Sequence, residues 1–167
     1  GDRFDVSADL AQLARSAVVV VCSGAKAVLD LRRTLELLET LGVPVIGYGT
    51  DELPGFYTPH TGLRLRHRLD SPRDVARAVA AYRDLGYAGG MVVAQPPPAS
   101  LPAGQLESAT AGALALAAEQ GIEGPAVTPF LLQSLADSTG GATLDLNRRL
   151  LAANARLAAE IARAMPA

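Results

Sequence analysis

Fifteen basic residues are present in this 167-residue chain, and fourteen of them are arginine; the single lysine is Lys26. Where only a positive charge is needed on a surface, arginine serves as well as lysine. Arginine keeps its proton at any relevant pH, whereas a desolvated lysine can become a neutral amine and attack an electrophilic carbon. Position 26 is therefore where a nucleophilic amine is expected. Composition alone equally allows a chance survivor, and the neighbourhood shifts the balance: Val20-Val21-Cys22-Ser23-Gly24-Ala25-Lys26 reads as a buried strand, a tight turn and then the lysine.

A second group lies upstream, in Phe4-Asp5-Val6-Ser7-Ala8-Asp9-Leu10. In an extended segment Asp5, Ser7 and Asp9 alternate onto one face. Asp5 offers a hard carboxylate oxygen suited to Mn²⁺ or Mg²⁺, and Ser7 with backbone N–H groups at a helix start suits an anion. The plainer reading is that Ser7 or Asp9 caps a short helix over 10–15.

Other residues carry weaker signals. Cys22 as a nucleophile needs a base, and His60 and His67 lie in an Arg-rich polar stretch without the context of a triad. Ser23-Gly24-Ala25-Lys26 lacks the spacing of a nucleotide-triphosphate loop. Arg64, Arg66 and Arg68 alternate along an expected strand, the pattern of a solvated edge. The net charge of -2 and the scarcity of aromatic residues, 4%, argue against a nucleic-acid polymer as partner. The longest apolar run, 17–22, is too short to span a membrane, and no targeting signal is visible. A lone cysteine forms no internal disulfide, which fits a reducing cytoplasm.

These residues need elements to position them. Apolar runs at 17–22, 43–48 and 89–94 read as strands, the first two buried on both faces. Helical spacing predicts helices over 29–41, 72–85, 106–120, 129–138 and 144–165, with Ser71 capping the second and Thr128 capping the fourth. Strands joined through helices predict one α/β region over 1–167, a three-layer α/β/α arrangement with a mostly parallel sheet. Such sheets bind ligands beyond the carboxyl ends of their strands, where Lys26, residues 47–50 and Gln95 fall.

The ordered blocks, from the two motifs above through Arg33-Thr34-Leu35-Glu36, Gly42 to Pro54 and Val127 to Leu132 to Asn154-Ala155-Arg156, resemble the pseudouridine-5'-phosphate glycosidases, also called indigoidine-synthase-A-like proteins. The resemblance implies reversible cleavage of the C–C glycosidic bond of pseudouridine 5'-phosphate to uracil and ribose 5-phosphate, with a divalent metal, usually manganese. It implies Lys26 as nucleophile, Asp5 as metal ligand, Ser7, Ala8 and Asp9 as a substrate-contacting segment, and Asp9 also as a residue that positions water or moves a proton. Asn147 matches a substrate-contacting asparagine, with Asn154 the competing candidate. Family chains are about twice this length, so the chain corresponds to the C-terminal half. The N-terminal half, which should supply a glutamate acid and a second lysine, is an expected partner, within a homotrimer. The alternatives are a related Schiff-base enzyme acting on another sugar phosphate or pigment precursor, and a non-catalytic subunit that only pairs with a partner.

Overall fold

Four short strands lie side by side in the structure, a computed structural model that describes residues 8–25 and 30–166. They are β1 (Val19–Cys22), β2 (Val45–Tyr48), β3 (His67–Leu69) and β4 (Met91–Ala94), all parallel, in the order β1-β4-β2-β3. Val92 is opposite Val20 on one side and Val45 on the other, so the last strand in sequence fills the middle of the sheet. All four β4 side chains are buried, as a continuous apolar run at a sheet centre requires.

The first run behaves differently from expectation. It forms only four residues of strand at an edge, and Val18 and Val20 remain 46% and 37% exposed. A run of valines reports the capacity for burial on both faces; the strand order decides whether neighbours exist to provide it. The expected Arg64, Arg66 and Arg68 strand is likewise reduced to β3, where Arg68 lies between Asp51 and Asp70 at 2.9 Å from each. It is the other edge of the sheet, as the alternating charges predicted.

Helices cover both faces. The helices α3 (Pro72–Asp84) and α6 (Ala142–Ala164) pack Val75, Val79, Leu157 and Ile161 against Ile46, Met91 and Val93. On the opposite face, α1 (Ala8–Leu13) and α2 (Leu31–Thr40) bring Leu10, Leu13, Leu35 and Leu38 to Val45, Val92 and Ala94. Each fully buried valine contributes about 1.5–3 kcal/mol relative to exposure. The three-layer α/β/α arrangement follows. The helices α4 (Ala103–Glu119) and α5 (Val127–Ser138) add a third cluster in which Leu106, Leu135 and Leu146 surround Tyr57.

Helix starts follow local chemistry. Asp30 caps α2 by accepting from the Arg33 N–H at 3.0 Å, a cap the sequence reading did not single out. Ser71 caps α3 through the Asp74 N–H at 3.1 Å, with Pro72 in the first turn. Thr128 is not a cap: a 3₁₀ turn over Gly124–Ala126 runs directly into α5, so the threonine falls inside the helix. Asp9 also sits inside its helix, in the first turn of α1, where a carboxylate favours the positive end of the dipole.

Candidate active site

Ser23 follows β1 directly and is 1% exposed, too deep for its hydroxyl to reach water. Its Oγ donates to Oδ1 of Asn154 on α6 at 3.2 Å. Gln95, the first residue past β4, donates from Nε2 to the same oxygen at 2.8 Å, while its backbone N–H continues the ladder to the Cys22 carbonyl at 2.9 Å. One amide oxygen therefore joins the carboxyl ends of two neighbouring strands to the long helix beneath them. With its oxygen held by two donors, the Asn154 amide has a fixed plane and presents its Nδ2–H₂ group away from the pair.

The backbone beyond Ser23 is held as tightly. Gly24 has φ +86°, and a Cβ there would lie 1.6 Å from the carbonyl oxygen of Pro54, so only glycine fits. The Ser23 carbonyl accepts the Phe56 N–H at 2.8 Å. The turn Ser23-Gly24-Ala25 thus leaves the sheet along one path and delivers the chain to residue 26. Beside it, β2 ends at Tyr48, between Gly47 and Gly49; a Cβ on Gly47 would meet the Thr50 carbonyl oxygen at 2.1 Å. Thr50 Oγ1 both donates to the Glu52 carbonyl and accepts the Glu52 N–H, each at 3.1 Å, which closes the turn after β2.

Of the residues singled out from sequence, Lys26, Asp5 and Ser7 lie outside the described residues. Ala8 opens α1, and Asp9 follows it on an exposed position. Asn147 and Asn154 both belong to α6, two turns apart. Asn154 is the one hydrogen-bonded at the strand ends; Asn147, partly buried, lies toward the helix start. Burial pushes the Cys22 thiol above its usual pKa, which leaves it protonated and poorly nucleophilic at neutral pH. His60 lies 3.6 Å from Glu52 on the surface, and His67 opens β3. Among the described residues no group of three His, Cys, Asp or Glu side chains forms a metal-binding set.

Ser23 and Phe56 were not recognised from sequence. Ser23 had a readable signal, a hydroxyl directly after a buried run; Phe56 had none, because its role depends on a backbone angle. At the other end of the sheet a groove of 440 Å³ opens between Val43, Arg64, His67 and the ring of Tyr82, which stacks on Tyr87 at 4.7 Å; it faces away from the Ser23, Gln95 and Asn154 network.

Known proteins share this chain's sequence and fold. The family described as Indigoidine synthase A like protein matches residues 1–164. A pseudouridine-5'-phosphate glycosidase of Gemmatimonas aurantiaca is 56% identical over 164 residues, covering 97% of this chain and 54% of the relative. One from Herpetosiphon aurantiacus is 51% identical, covering 98% of this chain and 55% of its own length. The chain thus spans about half the length of these curated relatives. Among solved structures, the prealnumycin C-glycosynthase AlnA in complex with ribulose 5-phosphate superposes with a TM-score of 0.89 at 37% identity, over 98% of this chain and 55% of that one. An indigoidine synthase A-like protein from Thermotoga maritima gives a TM-score of 0.84 at 36% identity, over 96% and 53%.

Proposed function

Because the chain belongs to the indigoidine synthase A like family over residues 1–164, we propose that it is the C-terminal half of a pseudouridine-5'-phosphate glycosidase. Joined to its N-terminal half, it reversibly cleaves pseudouridine 5'-phosphate to uracil and ribose 5-phosphate. The observation that carries this reading is the fixed turn at the carboxyl end of β1, which leads within two residues of Gly24 to the chain's only lysine.

A C–C glycosidic bond has no nitrogen or oxygen leaving atom to protonate, so the proton must go to the base carbon while electrons enter at the anomeric carbon. The neutral Lys26 amine attacks that carbon, and the ring oxygen departs and takes a proton. The nitrogen lone pair then expels uracil, whose carbon is protonated, and leaves an iminium. Water adds to the iminium carbon, and breakage of the C–N bond frees ribose 5-phosphate and restores the amine. Asp9, in the first turn of α1, positions the water or carries the proton, and Ser7 and Ala8 line the substrate with it. Asn154 is the better candidate for the substrate-contacting asparagine, since Ser23 and Gln95 hold it at the strand ends, while Asn147 lies two turns away.

The donors of the Asp5 motif are all oxygen, which fits a hard cation, and Asp5 is assigned to hold Mn²⁺ or Mg²⁺ largely ligated by water. When bound, the cation supplies positive charge that orders water and polarises the base. The assembly is assigned as a homotrimer of complete enzymes acting in the cytoplasm. No helix among the described residues is long and apolar enough to cross a membrane.

Borohydride added during turnover should reduce the iminium to a secondary amine and leave a sugar adduct on Lys26. Lys26→Arg should abolish both turnover and adduct, because a guanidinium stays protonated. Retained activity in Lys26→Arg would show that the residue supplies only charge. The similarity to a C-glycosynthase favours one second reading, a Schiff-base enzyme joining another sugar phosphate to another ring carbon. Uracil with ribose 5-phosphate, assayed against other base and sugar pairs, separates the two.

A further inference from the structure

The loop after β2 returns to the end of β1 before it reaches β3. Its two ends are anchored. Leu53 is buried and its carbonyl accepts from Thr61 Oγ1 at 2.6 Å; Tyr57, 4% exposed, is packed among Leu106, Leu135 and Leu146. Between these anchors Phe56 has φ +68°, the one non-glycine residue among those described with a positive φ. A bulky side chain seldom takes that conformation and keeps it only where the surroundings over-determine it. Here they do, because the Phe56 N–H donates to the Ser23 carbonyl at 2.8 Å and the neighbouring Pro54 carbonyl fills the space beside Gly24. With Tyr57 fixed in the helical cluster, a negative φ at residue 56 would swing this N–H away from Ser23.

We infer that the segment 54–57 is a strap that positions the turn 23–25 immediately preceding Lys26 in the sequence, and that Phe56 is its positioning residue, acting through its backbone rather than its ring. The inference rests on the proposed role of Lys26. The strap ties the turn to α4, α5 and α6, whereas the Asn154 network ties it to the strands. Together they leave the path of residues 23–25 little freedom, which a nucleophile needs when its attack distance matters.

The test uses the complete enzyme, this chain together with its N-terminal half, and compares Phe56→Val with Phe56→Gly. Both remove the ring. Valine resists a left-handed φ and glycine adopts it freely. Phe56→Val is expected to lower kcat by about tenfold or more with KM changed by less than about twofold, and Phe56→Gly to restore kcat to within about threefold of the starting enzyme. Hydrogen exchange should show the residue-56 amide protected in the starting protein and in the glycine variant, and exposed in the valine variant. Equal kcat losses in the two variants would mean that the ring matters and the backbone does not. An exposed amide in Phe56→Val with kcat unchanged would mean that the strap does not position the lysine. If Phe56→Val does not fold, Gly24→Ala displaces the Pro54 carbonyl from the other side, and full activity in it overturns the inference. A starting enzyme inactive on pseudouridine 5'-phosphate would defeat the proposed function instead, and the exchange contrast at residue 56 still decides whether the strap is held as described.

Discussion

Asn154 carries more of this structure than its modest size suggests, because two donors depend on its single oxygen. Replacing it by leucine strands the Ser23 hydroxyl, which is 1% exposed and has no water to turn to. A buried polar group left without a partner costs about 1–3 kcal/mol. Asn154→Leu is therefore expected to lower thermal stability by that amount and to reduce turnover of the complete enzyme, whereas Asn147→Leu should leave the Ser23 contact intact and disturb both less. Melting curves and steady-state rates on the two variants check it; the opposite ranking would return the substrate-contacting role to Asn147. Asn154→Asp adds a finer distinction. A carboxylate still accepts from Ser23 and Gln95 but lacks the Nδ2 donors, so stability held with kcat lost would assign those donors to the substrate.

At the scale of elements, α6 is the longest helix and the one that joins the core to the site. Its Leu157 and Ile161 join Met91 and Val93 in one core cluster, the helix lies against β1, and Asn154 stands one turn before Leu157 on the same helix. Leu157→Ala is expected to cost about 2–5 kcal/mol, as buried leucine truncations do, and to loosen the Asn154 contact with it. Denaturant unfolding measures the first effect and the residue-95 amide exchange rate the second; a cost near zero would mean that α6 does not seal the sheet. The elements themselves were largely legible. Ser71-Pro72 announced α3, and the apolar run before Pro96 announced β4, because these signals are local. Strand order was not legible: nothing within 17–22 says that its partner lies past residue 90, and so the valines at 18 and 20 were expected to be buried and are exposed. The start of α5 was misplaced for a similar reason, since Thr128 has the composition of a cap but the 3₁₀ turn upstream makes one unnecessary. At the site, Lys26 stood out through composition and Gln95 through its place at a strand end; Ser23 went unrecognised, and the Phe56 conformation has no counterpart in residue type.

For the whole molecule, the exposed apolar side chains are the surface that the proposed N-terminal half would cover. Val18 and Val20 are exposed at the free edge of the sheet, and Leu114, Leu116, Leu144 and Leu151 are exposed on the helices. Unpaired strand edges and contiguous apolar surface favour association. Co-expression with the N-terminal half is expected to give one soluble complex whose mass by light scattering is three times that of the paired halves, with hydrogen exchange falling at β1. A monodisperse monomer of this chain alone, with no change at β1 on adding the other half, would overturn that assembly.

The strand order also sets a timetable. β1 is finished by residue 22, and its ladder partner among the described residues is β4, which spans residues 91–94; Asn154 emerges later still. During synthesis the β1–β4 ladder therefore waits for some seventy residues, while β2 and β3, separated by a shorter loop, can join first. Closing so distant a pair is slow, and in the interval the valines of β1 are open to intermolecular pairing. The turn that leads to Lys26 thus depends on contacts with residues 95 and 154, far along the chain, so a segment ending before them lacks the network that holds the turn.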